Sequence, residues 1–107
     1  MSGDFLEAYV TRETAETKAV PAVDVPKKYK VVMLNDDYTP MGFVVDVLKR
    51  FFALNEDLAT RVMLQVHLLG RGVCGVYTRD VAETKAAQVN DFSRDHEHAL
   101  LCTSEPE

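Results

Sequence analysis

Three polar groupings in this chain carry more chemistry than packing demands: the Asn35-Asp36-Asp37 run, His67 inside an apolar stretch, and Asp95-His96-Glu97-His98. A carboxylate, an amide oxygen and a neutral imidazole nitrogen are all hydrogen-bond acceptors. Brought together, they suit a small cation with several N–H bonds to donate, such as an ammonium group. Each grouping also has a plainer reading. Asn and Asp are common turn residues, and a lone His in an apolar helix often sits satisfied at the edge of the core. His96 and His98 have no evident third ligand, so a solvated loop is expected there, not a metal site.

A catalytic reading would take Cys74 or Thr39 as nucleophile, His67 as base and Asp36 as orienter. Cys74, however, lies in Val73-Cys74-Gly75-Val76, a strand-like stretch with neither a helix N-terminus nor an evident base to lower its pKa. No Gly-rich phosphate loop or metal set accompanies it. Binding is expected rather than catalysis, with no cofactor. The two cysteines, Cys74 and Cys102, are in no zinc-like spacing and read as structural thiols.

The charge balance narrows the partners. A net charge of −5 offers no clustered basic face for nucleic acid, and Lys27-Lys28 with Lys30 is too short a cluster to change that. No apolar stretch approaches the roughly 20 residues of a membrane span. With no secretory signal evident, a cytoplasmic location is the expectation.

The elements that must position these groups follow from periodicity. Residues 1–26 contain few large apolar side chains, are interrupted by Pro21 and Pro26, and hold five acids against Arg12 and Lys18, so they read as a flexible acidic N-terminal arm. Residues 27–107 form the folded core. Tyr29-Lys30-Val31-Val32-Met33-Leu34 reads as a strand ending at the Asn-Asp turn. Thr39 as N-cap and Pro40 at the first helical position predict a helix to about Ala53. Phe43, Val44, Val47, Leu48, Phe51 and Phe52 form its buried stripe, and Asp46, Lys49 and Arg50 its wet face.

Asn55 caps a second helix that Gly70 ends. It is apolar almost all round, which implies either a wedged position or a pocket wall. A strand over 72–78, a third helix from Val81 to about Arg94 and a short strand over Leu100–Thr103 complete the order β-α-α-β-α-β. The fold class is α+β, a small sandwich of three helices on a three-stranded antiparallel sheet. In that arrangement Asn35, Asp36 and His67 can converge at one edge, beside Thr39, Met41, Val44, Met63 and Val66 at helical spacings.

The blocks Asn35-Asp36-Asp37-Tyr38-Thr39-Pro40-Met41, Met63-Leu64-Gln65-Val66-His67, Cys74-Gly75-Val76, Val81-Ala82-Glu83-Thr84-Lys85 and Leu100-Leu101-Cys102-Thr103 make the chain similar to the ClpS family of adaptors of the ClpAP protease. The resemblance spans residues 27–104 in order. It implies a non-enzymatic adaptor that binds N-degron substrates, proteins whose first residue is Leu, Phe, Tyr or Trp, and delivers them to the ClpA unfoldase. By the same resemblance Asn35, Asp36 and His67, with Asp37 beside them, hold the free α-amino group. Thr39, Met41, Val44, Met63, Val66 and Leu100 form the side-chain pocket, with Met41 as its gate. Asp80, Glu83 and Lys85 face the ClpA N-terminal domain. Asp80 is shorter than the glutamate usual in the family, and Gly42 stands where close relatives carry a larger residue.

Overall fold

The computed structural model describes residues 25–107, so all but the last two residues of the expected arm lie outside the described residues. Strand β1 (Lys28–Leu34) leads to helix α1 (Met41–Phe52) and helix α2 (Glu56–Leu69). Strand β2 (Arg71–Thr78), helix α3 (Arg79–Asp95) and strand β3 (Leu101–Pro106) follow. The sheet order is β2-β1-β3, with both pairings antiparallel. This is the expected class and element order.

β1 is the central strand because its KYKVVML sequence is the one that can be buried on both faces. Val31, Val32 and Met33 are all fully buried. Val31 and Met33 join the core formed with Val44, Val47, Leu48, Val89 and Leu100. Val32 alternates to the opposite face, where Arg71 on β2 reaches Glu105 on β3 at 2.7 Å. Since β1 lies between those strands, this ion pair straddles the outer face of the sheet.

Opposite β1, the register slips between Val31 and Val32: Val31 faces Gly75 and Val32 faces Val73, which leaves Cys74 as the extra residue of a bulge. The bulge lets both Cys74 and Tyr77, three apart, turn toward the core despite a strand's period of two. Tyr77 then leans over Gly75, where any Cβ would collide with its hydroxyl and ring.

Several boundaries differ from the sequence reading. Pro40, with an extended backbone, is the residue flanking α1, and its carbonyl accepts from the Val44 N–H at 3.2 Å. The expected Thr39 cap is not made, because the Thr39 hydroxyl is taken by Asp36. Of the predicted stripe on α1, Val44, Val47, Leu48 and Phe52 are buried, while Phe43 and Phe51 are half-buried against Phe92 of α3 at 5.6 and 5.2 Å between ring centroids. Asn55 does cap α2, accepting from the Leu58 N–H at 2.9 Å, and Gly70 ends it at φ 89°, a left-handed conformation that suits glycine.

α3 starts at Arg79, two residues before the predicted Val81. Arg79 and Glu83 pair at 3.3 Å across its first turn, and Asp80 there complements the helix dipole. β3 runs past the predicted Thr103 to Pro106, which is tolerated because β3 is an edge strand. At the turn after α3, His96 is exposed and its Nδ1 lies 2.8 Å from the Phe92 carbonyl, while His98 is half-buried against the Phe43 ring. Among the described residues, no group of three or more His, Cys, Asp or Glu could hold a metal ion, and no helix is long and apolar enough to cross a membrane.

Candidate functional site

The turn that leaves β1 is fixed by its own hydrogen bonds. The Asn35 N–H donates to the Gly70 carbonyl at 3.0 Å, which ties the end of β1 to the end of α2. Continuing the Leu34–Arg71 pairing of β1 with β2, it brings Asn35-Asp36 to the same cavity as His67, which sits in the last turn of α2. The Thr39 N–H donates to the Asp36 carbonyl at 3.3 Å and closes the turn. Thr39 is buried, and its hydroxyl donates to Asp36 Oδ2 at 2.6 Å. That bond holds one carboxylate oxygen and fixes the direction of the other. Asn35 donates from Nδ2 to Asp37 Oδ1 at 3.1 Å, which commits its donor side and turns Oδ1 into the acceptor it can offer.

These groups stand at the mouth of a cavity of about 280 Å³ lined by Asn35, Asp36, Asp37, Tyr38, Thr39, Pro40, Met41, Val44, Met63, Val66, His67 and Leu100. All ten residues expected to hold an amine or an apolar side chain therefore line one cavity. Tyr38 and Pro40 were not predicted. Tyr38 is 90% exposed, and nothing in its sequence position distinguishes it from an ordinary loop residue.

The cavity has two chemically different ends. Val44, Met63, Val66 and Leu100 are buried residues of the core whose side chains also form the apolar floor. Asn35, Asp36, Asp37 and His67 form the polar rim. Met41, the first residue of α1, is 47% exposed and stands between floor and solvent. This accounts for only part of the apolar excess of α2: Met63 and Val66 serve both core and cavity, whereas Leu58, Leu64, Leu68 and Leu69 are exposed and serve neither. A fully buried Leu or Phe side chain contributes roughly 1.5–3 kcal/mol, so the floor can hold one large apolar group while the rim takes a donor-rich cation.

The third predicted set lies apart, on α3. Asp80 and Glu83 are exposed. Lys85 is half-buried: its ammonium donates to the Phe51 carbonyl at 2.8 Å and lies 5.4 Å from the Tyr77 ring centre and 5.9 Å from that of Phe52. It thereby satisfies a carbonyl of the last turn of α1, a role not read from the sequence.

The geometry bears on one of the two nucleophiles weighed for catalysis, Cys74. Cys74 and Cys102 are buried free thiols. Hydrogen bonding with Cys102, followed by burial, pushes the Cys74 thiol well above its ordinary value, so it is not a ready thiolate nucleophile.

Comparison with known proteins agrees with this geometry. The family model described as "ATP-dependent Clp protease adaptor protein ClpS" matches residues 24–103. Among solved structures, Agrobacterium tumefaciens ClpS2 bound to L-phenylalaninamide is 48% identical, with a TM-score of 0.76, and the match covers 78% of this chain and 100% of that one. With a family match over most of its length and the same fold in a close relative, this chain belongs to the ClpS family of protease adaptors.

Proposed function

We propose that the cavity receives the first residue of an N-degron protein, and that the chain delivers such proteins to the ClpA unfoldase of the ClpAP protease. The observation that carries this reading is the gathering of an acceptor-rich rim and an apolar floor around one cavity large enough for one side chain. The substrate's α-ammonium, with an ordinary pKa of about 7.7–8.0, donates its three N–H bonds to Asn35 Oδ1, the Asp36 carboxylate and the His67 imidazole. Its Leu, Phe, Tyr or Trp side chain enters between Met41 and Leu100. The relative bound to L-phenylalaninamide supports the assignment, because that molecule has a free α-amine, an aromatic side chain and an amide where the next residue of a protein would begin. Asp80, Glu83 and Lys85 on α3 form the face for the ClpA N-terminal domain, with Lys85 contributing from its half-buried position.

The test is a fluorescence titration of the chain with a Leu-initiated peptide and its N-acetylated twin. The free peptide should bind and the acetylated one should not, because acetylation removes the charge and donors that the rim recognises. Replacing Asp36 by Ala should reduce affinity about tenfold or more, since hydrogen bonds to charged groups contribute about 1.5–3 kcal/mol. Equal binding of the two peptides would overturn the reading, and consumption of the peptide by the chain alone would identify a peptidase instead.

A further inference from the structure

The apolar floor and the space behind it differ in one respect that bears on which first residues are accepted. A second cavity, of about 370 Å³, lies in the groove between α1 and α2, and Met41 and Met63 line both this groove and the first cavity. Met41 is thus a partition with open volume on either side. Met is unbranched, with three rotatable side-chain bonds, and adapts its shape at low cost. On α1, Val45 is four residues on from Met41 and half-buried, so it lies on the same helical face and offers Met41 an apolar surface within the groove. Gly42 also borders the groove, and a Cβ built there meets no atom within 4 Å. The Lys49–Glu56 ion pair, at 2.7 Å, bounds it on the charged side.

We propose that Gly42 is a specificity-determining position: by leaving the groove empty it gives the Met41 side chain room to retract when a bulky first side chain enters, so that one pocket can fit both Leu and Trp. This rests on the cavity being the seat of a substrate's first side chain. A rigid wall at Met41 could not serve both residues, because a pocket shaped for Trp leaves a void around Leu and one shaped for Leu is overpacked by Trp. The volume that Met41 vacates for Trp must be recovered elsewhere, and the groove beside Gly42 is where it goes. A larger residue at 42 fills that space and holds Met41 against the floor.

The experiment titrates the full chain with Leu- and Trp-initiated peptides in the parent protein and in Gly42→Ala and Gly42→Leu. The Trp-to-Leu affinity ratio should fall as the residue at 42 grows, by about tenfold or more in Gly42→Leu, the range in which one misfitting group discriminates. A ratio unchanged in Gly42→Leu overturns the proposal. So does an equal loss for both peptides in a variant that melts like the parent. Should Gly42→Leu not fold, Gly42→Ala carries the test alone: its Trp-to-Leu affinity ratio must fall below that of the parent, and an unchanged ratio overturns the proposal. Failure of the parent to bind either peptide would instead overturn the N-degron reading itself.

Discussion

At the scale of single residues, the instructive contact is the 2.6 Å bond from Thr39 to Asp36. The sequence places Thr39 before Pro40, a favourable helix-capping pair, yet the hydroxyl serves the carboxylate three residues earlier. The distinction is invisible in sequence, because both roles call for a short hydroxyl side chain at the start of a helix, and only the path of the Asn35-Asp36-Asp37 turn decides between them. Replacing Thr39 by Val keeps its shape and removes the bond. Affinity for a free-amine peptide should then fall about three- to tenfold, on the order of 1 kcal/mol, while thermal unfolding shifts little; a large drop in stability would make the bond structural. The rim residues could be singled out only as candidates, since Asn and Asp are equally common turn residues and it was the resemblance that gave them a role. That Lys85 turns inward to the Phe51 carbonyl was not legible, because a lysine on a helix normally reads as a wet-face residue.

At the scale of elements, periodicity located every strand and helix of the described core, and the errors fell at their ends. α3 begins two residues early because Arg79 and Asp80 are stabilised as a first helical turn by the Arg79–Glu83 pair and the helix dipole. The bulge at Cys74 was illegible for a different reason: it depends on the register between two strands distant in sequence. It leaves a mark at Gly75, where Tyr77 occupies the space a side chain would need. Gly75→Ala should therefore destabilise the fold by about 1–3 kcal/mol, the usual cost of overpacking, read as a lower urea midpoint. An unchanged midpoint would mean that Tyr77 swings away freely. Where α1 ends, Lys85→Met keeps the side chain's length but removes the donor to Phe51 and the cation over two rings. A loss of about 1–2 kcal/mol is expected, and parent-like stability would show that water replaces the ammonium at no cost.

At the scale of the whole molecule, the site is a product of sheet order. β1 is central, so the turn at its end lies between α2, whose last turn carries His67, and the segment entering β3, which supplies Leu100. Residues 35, 67 and 100, far apart in the chain, thereby meet at one cavity. Their convergence could be anticipated from the β-α-α-β-α-β order, but its closeness depends on the register that sets Leu34 opposite Arg71 and Leu101 and on the Asn35–Gly70 bond, which no pattern in the sequence announces. The same strand order sets the fate of the two thiols. Cys74 belongs to one edge strand and Cys102 to the other, both turned into the core. A thiol reagent can reach either sulfur only when an edge peels away or the domain opens, so each cysteine is a built-in clock for its own border of the sheet. Labelling with a maleimide in native buffer should be slow at both positions and should accelerate with denaturant. A faster rate at one cysteine would identify the edge that frays first, and immediate labelling of both would contradict the buried arrangement.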